Sequence, residues 1–465
     1  MAVFSIISRT KLDGPNRIDA EFYHPTNEAL LSKLSMCDDL RTIGNCATVI
    51  TDMGAFSLYR KDYLAQQGVP FLRVENIKDN FLDLSDVIYI SPEYHAKLEK
   101  SQLKPRDVLL TTKANIGFAC TVPENIGDCN MSQNLVRIRF KNFLNPYYVS
   151  TFLSSKYGSF QSKRLATGNV QLYLNYQNIS RILIPIFSAD FQNQIEKQVK
   201  TAESNLHNSQ QILFQAEQLL LSELGLHAWK PRHTLTYVRS FSQVKQANRM
   251  DAEHFQPKYK ELREIIRNYP CGYLKLIDIA VNSNETIEPR ANPEHDFEYI
   301  ELADINQTIG VIENAKIIKG KDAPSRARML LRSGDIIASS VEGSLDKVAL
   351  VSEEYDGAIG STGFFVLRPR TVSSGYLLAL IKSIIVREQM HCEASGTILS
   401  AVPAKSLKNI IVPNIPPEKQ DEISALVQQS HTARREAKNL LEKAKRAVET
   451  AIEEGEERAM EYLNR

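Results

Sequence analysis

The chain is written twice, so whatever it folds into must be built from two related halves. Residues 16–30 (NRIDAEFYHPTNEAL) match residues 248–262 (NRMDAEHFQPKYKEL), with identities at Asn16, Arg17, Asp19, Ala20, Glu21, Pro25 and Leu30 of the first copy. Further matches follow in the same order at a constant offset of 228. LKPRDVLL from 103 parallels LRSGDIIA from 331, and GNVQLYL from 168 parallels GTILSAV from 396. ISRILIPI from 179 parallels LKNIIVPN from 407, and FQNQIEKQV from 191 parallels KQDEISALV from 419. A single short match arises by chance; an ordered series at one offset means duplication. The repeat is about half the chain, far longer than a solenoid unit. Two copies of one architecture, related by pseudo-two-fold symmetry, are expected.

Each copy has the same internal order. A short amphipathic helix (about 17–36 and 249–268) precedes a strand-rich block with runs such as VPFLRVENI, DVIYI, DVLLTT and NLVRIRF, broken by Gly, Pro and Asn. A helical stretch sits in the second half of each block (about 145–163 and 374–392), and a long helix closes each copy. In the first closing helix, Ile195, Val199, Ala202, Leu206, Ser209, Leu213, Ala216 and Leu220 alternate spacings of four and three. Ile423, Val427, Ser430, Arg434, Ala437, Leu441, Ala444 and Val448 do the same in the second. This is the heptad seam of a coiled coil. Surface helices packed on their own domains are the alternative, but about 30 residues exceeds the usual globular helix. The small and polar seam residues suit close packing of the two helices on each other. At about 1.5 Å per residue the rod is about 45 Å long, somewhat more than a DNA turn of about 34–36 Å.

With 465 residues, 43% hydrophobic and 24% charged, the chain can bury more than one core, and 20 Gly and 19 Pro exclude collagen-like and disordered classes. The six cysteines (Cys37, Cys46, Cys120, Cys129, Cys271, Cys392) form no CxxC pair and no metal-ligand spacing, and read as reduced thiols. MAVFSIISRTKLDG lacks a secretory pattern, and no run approaches the roughly 18 apolar residues of a membrane span. A soluble cytoplasmic protein with no membrane partner is expected.

The net charge is only +1, so any basic surface must be local. From Cys129 to Ala189 there is no Asp or Glu, but there are Arg137, Arg139, Lys141, Lys156, Lys163, Arg164 and Arg181, with Tyr147, Tyr148, Tyr157, Tyr173 and Tyr176 among them. The matching stretch 357–416 has Arg368, Arg370, Lys382, Arg387, Lys405 and Lys408 against Glu388 and Glu393. Local basicity with amide and hydroxyl side chains is what a duplex reader needs: cations neutralise phosphates, and amides and hydroxyls address base edges. An ordinary basic face would look alike in one copy; its presence in both favours the reader. Tyrosines at this spacing read first as core.

No catalytic constellation emerges. NPYY (145–148) resembles the Asn/Asp-Pro-Pro-aromatic tetrapeptide of amino-methyltransferases, but Tyr147 stands where Pro is needed, and Pro146 suits a helix start. There is no phosphate loop, no HExxH and no histidine cluster. Asp107 and Asp335 occupy equivalent turns and read as turn chemistry rather than paired acids. No metal site and no cofactor of the chain's own is expected.

The organisation resembles the specificity subunits of type I restriction–modification systems. The R-[IM]-D-A-E openings at Arg17 and Arg249, the [GR]-D-[VI]-[LI] turns at Arg106 and Gly334, and the endings at Pro185 and Pro413, each followed by a Q-x-x-I helix, carry the likeness over nearly the whole chain. Arg106 departs from the usual glycine, so a differently shaped turn is expected there. The resemblance implies two α/β (α+β) target recognition domains joined by an antiparallel coiled coil of two long helices. On it, residues 1–188 are the first recognition domain, 189–225 the first coiled-coil helix, 226–247 a linker, 248–416 the second recognition domain and 417–465 the second helix.

It also implies a non-enzymatic DNA-binding chain in phage defence, each domain reading one half of an asymmetric bipartite site, with the coils setting the gap. Two methyltransferase subunits using S-adenosylmethionine, and ATP- and Mg-dependent restriction subunits, are the implied partners. The copies align poorly at 111–117 (TTKANIG) against 339–345 (SSVEGSL), where readers of different half-sites should differ. Expected contacts to bases or phosphates are Thr112, Lys113, Asn115, Gln133, Asn134, Lys163, Arg164 and Asn169 in the first copy. In the second they are Ser340, Glu342, Ser344, Lys347, Ser361, Thr362 and Thr397. Lys163 and Arg164 are expected on phosphates. Two other readings stay open: a duplicated coiled-coil scaffold that binds proteins, and the recognition chain of a related type II or phage-exclusion system.

Overall fold

Alternating β-branched and aromatic runs become strands where one face can be buried, and Gly or Asn ends them. A computed structural model of the chain describes residues 6–8, 12, 17, 19, 22–54, 58, 62–64, 67–168, 171–313, 315–396 and 399–465. It contains two compact units, one of Met1–Asn205 with Glu436–Arg465 and one of Leu206–Arg435. Both mix α and β structure.

The first unit has a four-stranded antiparallel sheet in the order Ala47–Thr51, Leu135–Phe140, Val108–Thr111, Ala119–Thr121. Beside it lies a three-stranded sheet of Ile88–Ile90, Val69–Leu72 and Asn130–Met131, whose last pair is parallel. Leu72, Leu109, Cys120, Met131 and Leu135 form a buried cluster. Leu40–Thr42 pairs with Leu183–Pro185, tying the start of the block to its end. NPYY does open a helix, Pro146–Ser154: Pro146 sits in the first turn and the Asn145 side chain accepts from the Tyr147 N–H. Tyr147, Tyr148 and Tyr157 are core, and the Tyr148 hydroxyl donates to the Pro185 carbonyl at 2.8 Å.

The second unit repeats the scheme. Tyr273–Lys275 pairs with Ile411–Pro413 as the opening and closing strands. Ala280–Asn282, Phe364–Pro369, Ile336–Ser339 and Val348–Leu350 follow one another in a sheet that two short strands extend to six. Asp296–Ile300 and Ile359–Ser361 form the parallel pair of a second, four-stranded sheet. Each copy also carries two consecutive helices, Pro146–Ser154 and Lys156–Leu165 in the first and Ser374–Lys382 and Ile384–Glu393 in the second.

The closing helices are Ala189–Glu223, with 35 residues, and Pro417–Glu454, with 38. All the seam residues named from the sequence are buried. Within the second unit, Leu213, Ala216 and Leu220 share a cluster with Ile423 and Val427, and the Ser209 and Ser430 hydroxyls meet at 3.1 Å. Increasing numbers along one segment thus meet decreasing numbers along the other. Within the first unit, the Ser188 N–H donates to Glu456 Oε2 at 2.9 Å. Among the described residues no helix is long and apolar enough to cross a membrane.

Candidate nucleic-acid interface

The site begins at the turn before the strand Val108–Thr111. Asp107, whose side chain is 0% exposed, accepts the Lys104 N–H (2.8 Å) and both Nε and Nη2 of Arg139 (2.6 and 2.9 Å). Asp335 repeats this with the Arg332 N–H (3.0 Å) and Arg368 (2.9 and 3.1 Å). The aspartates are turn formers, as their sequence position suggests, and each also holds an arginine of the neighbouring strand. The turn at Arg106 is not differently shaped: Arg106 has φ 68° and Gly334 has φ 87°, both left-handed. A side chain there costs about 1–2 kcal/mol. The Arg106 guanidinium reaches Glu196 at 2.7 Å, an ion pair that offsets part of that cost. Burial acts against the Glu196 charge, yet Arg106, Lys200 and Asn145 outweigh it and hold the carboxyl at about 2.

The strand so positioned leads into a hairpin loop. Thr112 is buried, and its N–H and hydroxyl both donate to the Asn134 carbonyl (3.1 and 3.0 Å). Ser340 does the same to the Gly363 carbonyl (2.8 and 2.9 Å). These two side chains therefore pin the loop to the neighbouring segment. A third segment docks on them, with Leu174 N–H donating to the Thr112 carbonyl (3.0 Å) and Val402 N–H to that of Ser340 (2.8 Å). It closes a loop in which Thr167 and Tyr173, or Ser395 and Ala401, exchange backbone hydrogen bonds. Gly168 (φ 128°) and Gly396 (φ 133°) make the turn possible, since a Cβ would strike the carbonyl oxygen of Gln171 or Leu399.

The same three segments thus converge in each unit, and they carry most of the expected contacts. In the first unit Lys113, Asn115, Gln133 and Asn134 line one cavity of about 510 Å³, with Arg73, Glu75, Ser132 and Gln171. Asn115 and Gln133 are exposed; Lys113 and Asn134 are half-buried. In the second unit Glu342 is half-buried, its carboxylate 4.0 Å from His391. Thr362 is exposed, and its N–H donates to the Arg326 carbonyl. Ser344 bonds the buried Ser339 hydroxyl (2.9 Å), Ser361 is buried and accepts the Gly363 N–H (3.3 Å), and Lys347 donates to the Ile305 carbonyl (3.0 Å). Asn169 and Thr397 lie outside the described residues.

Lys163 is exposed at the end of the helix Lys156–Leu165. Its neighbour Arg164 is engaged inside the unit: it donates to the Phe22 carbonyl (2.8 Å), pairs with Glu28 (3.0 Å) and lies 3.8 Å from the Phe22 ring centroid. The openings at Arg17 and Arg249 close the same helix end from the other side. Arg17 donates to the carbonyls of Arg164 and Ala166 (2.8 and 3.3 Å), and Arg249 to those of Cys392, Glu393 and Ala394 (3.3, 3.2 and 2.6 Å). A cation there satisfies orphan carbonyls and suits the helix dipole. Each opening thus braces the helix immediately before the glycine loop.

The acid-free stretch is consequently not one continuous basic face. Arg137 and Arg139 face Asp107, Lys156 faces Glu449 and Glu453, and Lys141 donates to the Asn45 carbonyl. Residue order did not single out Arg73, Glu75 or Gln171. Arg73 directly follows the strand Val69–Leu72, and its partner at the repeat offset is Glu301, a contrast visible once the copies are aligned through the strands. Among the described residues His254, Cys392 and Glu393 are close enough together to hold a cation. The Glu393 carboxylate is already bound by Arg263 (3.1 Å) and Asn409 (3.0 Å), and a structural zinc asks for four ligands.

The family model of the type I restriction modification DNA specificity domain matches residues 41–248. The chain is similar to the S subunit of a type I restriction–modification system from M. genitalium, at 12% identity over 89% of this chain and 94% of that one, with a TM-score of 0.39. It is similar to the HsdS subunit from Thermoanaerobacter tengcongensis at 14% identity over 90% and 96%, with a TM-score of 0.29. A chain from a structure of complex assembly and conformational transition in the type I R-M system gives 15% identity over 90% and 97%, with a TM-score of 0.28. Scores this low equate no position here with a position there. No curated protein sequence matches the chain.

Proposed function

We propose that this chain, whose residues 41–248 match the type I restriction modification DNA specificity domain, is a member of that family and reads an asymmetric, bipartite DNA site. Residues 1–188 and 248–416 act as two target recognition domains, each addressing one half-site. The helices at 189–225 and 417–465 pair as an antiparallel coiled coil whose length sets the spacer, with 226–247 as linker. Two methyltransferase subunits and the restriction subunits supply the chemistry, with S-adenosylmethionine, ATP and Mg; this chain contributes sequence recognition in the cytoplasm and binds no cofactor.

One observation carries the reading. Two loop assemblies share the same backbone hydrogen bonds, Thr112 to Asn134 and Ser340 to Gly363, while the side chains they present differ. One displays Lys113, Asn115 and Gln133, the other Glu342 and Thr362. A common frame with different donors and acceptors is what reading two different sequences requires. Mapping methylated adenines across the host genome, with the gene intact and deleted, tests this. Loss of one bipartite, non-palindromic motif on deletion is expected. An unchanged methylome, with a co-encoded methyltransferase active, refutes it and returns the chain to a scaffolding role.

A further inference from the structure

Each unit ends a parallel strand pair at the same place. Leu72 stands opposite Met131 in one, and Ile300 opposite Gly360 in the other. The next residue along the first strand is Arg73 or Glu301, 228 apart. Their backbones match: the Arg73 N–H donates to Asn76 Oδ1 (2.9 Å) and the Glu301 N–H to Asp304 Oδ2 (2.8 Å), each opening a single 3-10 turn. The frame is the same and the charge is opposite.

The surroundings follow the same inversion. Arg73 Nε and Ser132 Oγ are buried, have no hydrogen-bond partner among the described residues, and line the cavity that also holds Lys113 and Asn115. The ion pair from Arg73 to Glu75 is long, 3.6 Å, and Glu75 is 62% exposed. At the repeat offset Lys113 and Asn115 become Val341 and Gly343, with the half-buried Glu342 between them. Glu301 is bound by Lys316 through Oε1. The charged group that follows the strand is therefore a donor in one copy and an acceptor in the other. In a major groove the guanine edge presents two acceptors, O6 and N7, that suit an arginine, whereas cytosine N4 presents a donor that suits a carboxylate.

We propose that Arg73 and Glu301 are specificity-determining residues, Arg73 reading a guanine in one half-site and Glu301 a cytosine amino group in the other. This rests on the DNA-reading function proposed above. Both caps use the backbone N–H, so neither capping hydrogen bond is lost when the side chain is changed.

The test is selection from a randomised duplex DNA pool by the full chain with its methyltransferase subunits, for wild type, Arg73→Gln, Arg73→Lys and Glu301→Gln. Wild type is expected to enrich a bipartite motif. Arg73→Gln should relax a guanine in one half by roughly tenfold or more and leave the other half intact. Glu301→Gln should relax a cytosine in the opposite half alone. Arg73→Lys loses the planar fork but keeps a cationic donor for O6 and N7, so it should weaken guanine preference in that half without abolishing it; if Arg73→Gln abolishes all binding, this variant decides. Unchanged motifs, or an equal loss of base preference in both halves by a variant that still binds DNA, overturn the assignment while leaving DNA reading in place. No motif from wild type refutes the DNA-reading function itself, and the assignment with it.

Discussion

Removing the Asp107 carboxylate should cost the first unit more than removing Asp335 costs the second, although the two are repeat equivalents. Asp107→Ala deletes an acceptor that is 0% exposed and leaves two guanidiniums behind. Arg139 is 31% exposed, so water relieves part of its loss; Arg137 is 10% exposed and keeps only the Gln102 carbonyl, through Nη1, while its Nε, 3.9 Å from Asp107, has no hydrogen-bond partner among the described residues. Breaking a buried pair from one side costs about 3–5 kcal/mol. With the discount for Arg139, about 3 kcal/mol is expected. Arg368, by contrast, is 35% exposed and keeps Glu285 at 2.7 Å after Asp335→Ala, so about 1–2 kcal/mol is expected there. Asp107→Asn should recover about 1 kcal/mol by still accepting the Lys104 N–H. Native-state hydrogen exchange separates the units, because peptides covering 108–111 and 135–140 report one and those covering 336–339 and 364–369 the other. Equal losses, or a larger loss for Asp335→Ala, would refute the argument that Arg137 makes the difference. Because the destabilised strand leads to Thr112 and Lys113, recognition of one half-site alone should weaken with it.

Lys163→Ala should reduce the slope of log affinity against log salt by about 0.9, one phosphate's worth, whereas Arg164→Ala should leave the slope unchanged and lower stability, because its guanidinium is engaged by Phe22 and Glu28; titrating binding at several salt concentrations tells them apart. Gly168→Ala and Gly396→Ala should each distort one glycine loop and impair one half-site, with limited proteolysis near 167–173 or 395–401 as the readout. Burial raises Glu203 to about 7, against the pull of Lys200, with Glu124 and Glu196 adding to the rise. A raised carboxyl stabilises the fold fully below its unfolded value, near 4.5, and that stability is lost as pH rises through 7. The unfolding free energy from denaturant titration should therefore fall between about pH 4.5 and 7, by about 1–3 kcal/mol, and Glu203→Gln should flatten that dependence.

The sequence was most legible where a residue's role repeats with a physical period. All the seam positions from Ile195 to Leu220 and from Ile423 to Val448 are buried, because heptad spacing fixes the face whatever the partner. It was less legible where a side chain's role depends on what lies across the sheet. Thr112 and Ser340 look like base contacts in a list of hydroxyls, but each turns inward to pin a loop. Arg164 looks like a phosphate contact, but Phe22, some 140 residues away, claims its guanidinium. The acid-free stretch misled for the same reason: Arg137 and Arg139 answer Asp107, which lies outside it. Arg73 and Glu301 escaped because each is unremarkable within its own copy, an arginine after a strand and a glutamate after a strand. Their opposition becomes visible only when two parallel strand pairs are set in register, Leu72 on Met131 and Ile300 on Gly360. In a duplicated reader the informative positions are those where the backbone repeats and the side chain does not, and the register of the strands is what identifies them.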